Sequence, residues 1–187
     1  MGKHYGIKEI TMPTLPDDKT VENYLGIDPG KSGGLALIRS SLRNSKILDW
    51  VVMPASDYDL YKVLRDWKNT YSISSAVLER VSSMPGEGHV GAFSFGENYG
   101  KLQMVLAANK IRYEKITPRV WQKGLGVKVK AKTESKPAFK ERLRQLSQQL
   151  FPDLPLWDEP RTLGKQRAVC DAILIAEFCK RKEKGLL

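Results

Sequence analysis

At 187 residues, with 41% apolar and 28% charged side chains, the chain suits one domain with a substantial core and is too polar for a membrane-embedded protein. No apolar run reaches the length of a membrane span, and residues 1–20 lack the apolar core of a signal peptide and carry Glu9, Asp17 and Asp18, which argue against a transit peptide. The formal net charge of +10 is regional: Lys101 to Arg144 holds 13 Lys and Arg against 3 Asp and Glu, while the remainder carries 18 of each sign. Such a stretch reads as a phosphate-backbone footprint or as a solvated basic face. Cys170 and Cys179 make no disulfide framework; nine apart on one expected helix, they cannot bridge and read as small buried apolar residues of a reducing cytoplasm.

Residues 1–20 contain Pro13, Pro16 and an Asp-Asp-Lys run without periodicity, and read as an extension to a domain over 21–187. Residues 24–28 form a buried strand, Pro29 to Gly34 a turn, and 35–39 a second strand. After a loop at Arg43-Asn44 comes a third strand, 46–53, and the three make an antiparallel meander by turn chemistry. Ser56 or Asp57 caps a helix to about Asn69, with Leu60, Val63, Leu64 and Trp67 on one face. Residues 75–80 form a fourth, buried strand and 82–91 a loop. A helix to about Asn109 carries Phe95, Leu102, Val105 and Leu106, and 111–116 form a fifth strand. Pro118 opens a short helical turn bearing Trp121. Lys123 to Lys136 is basic, glycine-containing and expected to be mobile. Pro137 to Leu150 is helical, a proline-rich loop spans 152–160, and the last helix runs from about Leu163 to Lys182. There is no internal repeat.

Three meander strands, a helix, then strand–helix–strand is the chain order of the ribonuclease H-like fold. That is an α/β fold with a mixed five-stranded sheet and helices on both faces. In it the first strand, the fourth strand and the last helix converge. Here those elements bear Asp28, Glu79 and Asp171, each inside or against an apolar run. A charge so placed costs several kcal/mol unless it is paired or binds a metal. Each has a plainer reading by itself: Asp28 as a turn-forming Asp, Glu79 as an edge-strand Glu paired with Arg80 or a lysine, Asp171 as a helix-start Asp. Against the last, about seven helical residues precede Asp171, which shares a face with Leu174 and Ile175. Together, in a basic chain, the three acids point to one divalent-metal site facing a polyanion, with Mg²⁺ suited to the hard oxygen set. Gly26 to Ser32 imitates a nucleotide phosphate loop but is one residue short between Gly26 and Gly30-Lys31-Ser32, and a strand follows it. His4 and His89 lack zinc-ligand spacing and read as surface residues, His89 with an approach to DNA as its alternative.

Gly26-Ile-Asp-Pro-Gly30, Leu78-Glu79, Phe95-Gly96 with Gly100, Thr117-Pro-Arg-Val-Trp-Gln-Lys-Gly-Leu-Gly126, Leu150-Phe-Pro152 and Asp171-Ala-Ile-Leu-Ile-Ala176 run in order over about 150 residues. In this ordered set the chain resembles the RuvC-type Holliday junction resolvases, and is most similar to their bacteriophage and plant-organelle branch. The resemblance implies a homodimer that binds four-way DNA junctions and cuts two strands of like polarity with Mg²⁺ or Mn²⁺, two ions per site. Asp28, Glu79 and Asp171 carry over as catalytic metal ligands. DNA phosphates are expected on Lys31, Arg119, Lys123, Lys128, Lys130, Lys132, Lys136, Lys165 and Arg167.

Two departures stand out. The family's fourth acid or histidine, one turn before the last aspartate, is replaced by Arg167 and Ala168, with Asp158 or Glu159 as substitutes elsewhere. Where the family has an apolar wedge after the strand-four acid stand Ser82 and Ser83, with Met84 as a substitute. The helix from about Ala92 to Asn109 is expected to form the dimer interface through Gly96, Gly100 and apolar residues including Leu102. The competing functions are a branched-DNA binding protein with weak or no cleavage, and an actin-like sugar kinase or ATPase. For the latter the chain is short and has no second phosphate loop. The expected location is cytoplasmic, the host's if phage-encoded, with an organelle left open.

Overall fold

The computed structural model describes residues 21–40, 45–81, 88–158 and 163–187. In chain order the elements are β1 (Glu22–Asp28), β2 (Gly34–Ser40), β3 (Lys46–Val52), α1 (Asp57–Tyr71), β4 (Ile73–Glu79), α2 (His89–Ala108), β5 (Tyr113–Ile116), α3 (Pro118–Gly124), α4 (Lys136–Leu150), a 3₁₀ turn (Pro155–Asp158) and α5 (Leu163–Glu183). The five strands form one sheet in the order β3-β2-β1-β4-β5. β1, β2 and β3 pair antiparallel, while β1–β4 and β4–β5 are parallel. This is the mixed sheet the chain order implies.

The alternation of side chains along the strands divides the core into two layers. Leu25, Ile27, Leu35, Leu37, Ala76 and Leu78 face α1 and α2. Tyr24, Ala36, Ile38 and Val77 face α3, α4 and α5. By the same period of two, Asp28 lies on the Tyr24 face of β1 and Glu79 on the Val77 face of β4, both toward α5. α5 is buried continuously from Ala168 to Cys179, as a helix apolar on all sides must be. Ser56 is the cap of α1, its side chain accepting from the Asp59 amide. Among the described residues no helix is long and apolar enough to cross a membrane. Cys170 and Cys179 are buried and free, and burial pushes both thiols up to about 12.

Several boundaries depart from the sequence pattern. β4 starts at Ile73, two residues before the expected 75, because Ile73 is buried in the core and pairs with Asn23 of β1, whose amide also donates to the Ser74 hydroxyl at 3.2 Å. α2 begins at His89, inside the expected loop, whose residues 82–87 with Ser82, Ser83 and Met84 lie outside the described residues. So do residues 1–20 with His4, the Arg43-Asn44 loop and Glu159. The basic stretch after α3 is tied down rather than loose: the Val127 amide donates to the Gln122 carbonyl at 2.8 Å, and Arg142 holds Glu134 at 2.8 Å and the Lys128 carbonyl at 3.2 Å. The apolar residues of α2 do not form one surface. Leu102 and Leu106 are buried against the sheet, whereas Val90, Phe93 and Met104 are 82%, 75% and 68% exposed. Leu102 is therefore a core residue, which corrects its expected place at an interface.

Candidate active site

Asp28, Glu79 and Asp171 come together at one end of the sheet. Ile27 pairs with Leu78 in the parallel β1–β4 ladder, so Asp28 and Glu79 follow side by side on adjacent strands. α5 reaches them because Gly26 has no side chain: a Cβ there would overlap the Ala172 carbonyl and the Ala176 amide. That close crossing sets Asp171, the neighbour of Ala172, against the end of β1. The turn after β1 fixes Asp28 in its own way. Its Oδ1 accepts from the Gly30 amide at 3.0 Å, and a Cβ on Gly33 would lie 2.6 Å from its carboxyl carbon. The glycine-rich turn thus cradles a carboxylate, and β2 follows it.

Glu79 is 7% exposed and Asp171 4%, while Asp28 is half-buried. Glu79 is not an edge residue, since β4 lies between β1 and β5. Its Oε1 accepts from the indole Nε1 of Trp121 at 2.8 Å. Burial and the negative charge of Asp28 nonetheless push the Glu79 carboxyl up to about 7, against the pull of Trp121 and Lys140. Asp28 is raised too, first by burial and then by Asp171, with the Gly30 amide and Lys140 opposing. Lys140 of α4 donates to Asp171 Oδ2. Burial disfavours its ammonium, but the attraction of Asp171, Asp28 and Glu79 outweighs that and raises it. Lys140 and Trp121 are the members of the site that sequence reasoning missed. Lys140 was one basic residue among many, and Trp121 belonged to a quoted motif without a role. A weak signal existed for Lys140, which lies three and seven residues before Leu143 and Ser147, both buried on α4.

The nine residues expected on phosphates are all exposed. Lys31 stands in the turn after Asp28, Lys136 one turn before Lys140, and Arg167 one turn before Asp171, with Lys165 beside it. Arg119 and Lys123 flank Trp121 on α3. Lys128, Lys130 and Lys132 lie between α3 and α4, where Lys130 is occupied by the Glu134 carbonyl at 2.8 Å. His89 is exposed at the start of α2. A further buried acid on α5, Glu177, is paired with Lys180 at 2.7 Å and Arg181 at 2.9 Å. A groove of about 760 Å³ beside Lys46, Ile47, Phe151 and Leu154 lies at the opposite end of the sheet, where β3 begins.

The carboxylates suit a divalent cation by their chemistry. All donors are hard oxygens, and Asp171 Oδ1 is buried with no hydrogen-bond partner. Asp28 and Glu79, both raised by burial and by neighbouring carboxylates, also call for a counter-charge. Among the described residues no three His, Cys, Asp or Glu side chains are already drawn to ligating separation. The position of the missing fourth acid is occupied by exposed Arg167 and buried Ala168.

Neither a family model nor a curated protein sequence matches the chain. Solved structures do. RuvC of Thermus thermophilus in complex with a Holliday junction substrate superposes with a TM-score of 0.60 at 14% identity, over 88% of this chain and 97% of that one. A second Thermus thermophilus RuvC structure gives 0.59 at 14% identity, with the same coverage. The yeast mitochondrial Holliday junction resolvase Ydc2 gives 0.55 at 16% identity, over 88% of this chain and 80% of that one. The fold is ribonuclease H-like, as in these structures.

Proposed function

We propose that this chain is a structure-selective endodeoxyribonuclease that resolves four-way DNA junctions by metal-dependent phosphodiester hydrolysis, with sequence motifs nearest the bacteriophage and plant-organelle branch of the RuvC-type resolvases. The observation that carries this reading is the convergence of Asp28, Glu79 and Asp171 at one end of the sheet, with Lys31, Lys136 and Arg167 exposed within a turn of the site. Asp28, Glu79 and Asp171 would hold the divalent ion, Mg²⁺ or Mn²⁺. When bound, it activates water and stabilises the leaving oxygen. The chain's own residues do the rest. Trp121 fixes the Glu79 carboxylate, the Gly30 amide orients Asp28, and the surrounding lysines and arginines take the backbone phosphates and hold the strand over the acids.

Cleavage of four-way, Y-shaped and linear DNA in the presence of Mg²⁺ tests the proposal. Paired, symmetric cutting of the four-way junction is expected, and cutting of linear DNA at equal rate refutes junction selectivity. A second reading, a branched-DNA binding protein with weak or no cleavage, draws on the unassembled ligand set and on Lys140 seated against Asp171. Tight junction binding without metal-dependent cutting would select it.

Symmetric cutting needs a two-fold dimer. We place its interface on the outer face of α2, where Phe93 and Met104 are exposed and nothing stands within 4 Å of a Cβ added at Gly96 or Gly100. Met104→Glu is expected to give a monomer in sedimentation with paired cleavage lost; a wild-type monomer that cuts both strands refutes the dimer.

A further inference from the structure

We propose that Val129 is an apolar tip that covers the open face of a base pair at a DNA branch point, and so sets the preference for branched over linear DNA. The inference rests on the junction reading above and adds to it a contact that carries no charge.

The loop between α3 and α4 holds two valines with opposite fates. Val127 packs against the core, whereas Val129 is 81% exposed. A lone exposed valine needs no explanation by itself. Two features set this one apart. Exposed Lys128 and Lys130 flank it and Lys132 follows, so an apolar side chain stands among groups suited to phosphates. The loop is also built to hold its shape. Arg142 of α4 grips the Glu134 carboxylate with two bonds, at 2.8 and 2.9 Å, and donates to the Lys128 carbonyl at 3.2 Å. Its guanidinium lies 5.0 Å from the centre of the Phe139 ring. The Lys130 ammonium closes the other side on the Glu134 carbonyl at 2.8 Å. Gly126, at φ +73°, starts the loop in a conformation that suits glycine. The backbone on both sides of Val129 is thus fixed before any DNA arrives, which lowers the ordering cost of a contact there.

The ends of the loop locate it. α3 carries Trp121 to Glu79, and α4 carries Lys140 to Asp171. Val129 is therefore presented from between the two helices that reach the carboxylates.

Chemistry selects what the tip meets. Phosphates and sugars offer a valine nothing. The apolar surface of DNA lies on the faces of its base pairs, and stacking hides those faces along a linear duplex. Thymine methyl groups are the exception, and they are equally present in branched and linear DNA of one sequence. At a branch point the stack is interrupted, and an apolar side chain can cover the open face without first prising a base step apart. On linear duplex the same contact costs the unstacking. The tip thus adds affinity for branched DNA alone, while the lysines add it for both forms.

Anisotropy titrations of the full-length protein with a four-way junction and a linear duplex of the same sequence, without metal so that no strand is cut, test this. Wild type is expected to prefer the junction. Val129→Ser is expected to lose about tenfold in junction affinity, the equivalent of two buried methyl groups, with duplex affinity and both salt slopes unchanged. Val129→Leu keeps an apolar tip and is expected to retain the preference. 2-Aminopurine at the branch point gives a second readout: wild type and Val129→Leu are expected to change its fluorescence alike, and Val129→Ser less. A Val129→Ser protein that keeps the wild-type preference, or that loses equally on both DNAs, overturns the role of Val129 and leaves the junction reading standing. Equal binding of the two DNAs by wild type overturns both.

Discussion

Glu79 is the residue whose environment yields a measurable stability effect. Its carboxyl is raised from 4.5 to about 7 by burial and by Asp28. A folded-state pKa above the unfolded one means that the native state holds its proton more tightly. The group's favourable contribution is therefore complete below about pH 4.5 and lost as the pH rises through about 7. The shift corresponds to about 3 kcal/mol. Glu79→Gln removes the ionisation but keeps a side-chain carbonyl to accept from Trp121 Nε1. The metal-free variant is expected to match wild type near pH 4 and to exceed it by up to about 3 kcal/mol above pH 7, roughly 6–12 °C in melting temperature for a chain of this size. Thermal unfolding of both proteins without metal from pH 4 to 8.5 measures the difference directly. The variant is expected to gain nothing from added Mg²⁺, whereas wild type is expected to gain stability. Melting curves that stay parallel across the whole range would show that Glu79 ionises without penalty and would refute the reasoning.

Asp28→Asn and Asp171→Asn are each expected to abolish junction cleavage while leaving junction affinity within a few-fold, measured by gel shift beside the cutting assay, since phosphate contacts come from other residues. Full cutting by either variant removes that residue from the site. Gly26→Val is expected to prevent the close crossing of α5 over β1 and to cost several kcal/mol, or folding altogether, in denaturant titration; a midpoint unchanged from wild type refutes the packing argument. Replacing Lys128, Lys130 and Lys132 together by Ala is expected to lower the log–log salt slope of junction binding by up to about three, with less if the carbonyl-bound Lys130 is spared from the DNA. An unchanged slope assigns the stretch to solvent.

The parts of the site that were legible in the sequence are those where a charge interrupts an apolar pattern. Asp28, Glu79 and Asp171 break three runs that the hydrophobic effect would otherwise keep uniform; strand order sets the first two side by side, and the crossing of α5 at Gly26 brings the third. Lys140 was hidden because its neighbours Arg142 and Arg144 are also basic, and only the docking of α4 on α5 separates it from them. The bond from Trp121 to Glu79 joins residues 42 apart and has no local signature. α2 misled for a related reason. Its apolar residues wrap the helix, so periodicity gave no means of distinguishing the sheet-facing Leu102 from the outward Met104. The start of β4 drifted at Ser74, a polar residue whose hydroxyl accepts from the Asn23 amide across the ladder, a partner with no local signature.

The close crossing of α5 over β1 also has a consequence during synthesis. β1 emerges from the ribosome before α5, which covers β1, β2 and β4. Asp28 waits for Asp171 while the intervening 142 residues are translated. Until then Tyr24, Ala36, Ile38 and Val77 lack the α5 side of their core, and the nascent chain presents a sticky sheet face. Its latest-forming contacts are also those that assemble the carboxylates. A nascent chain still tethered to its ribosome thus carries Asp28 and Glu79 on the sheet without Asp171, and the three carboxylates meet only once α5 has docked.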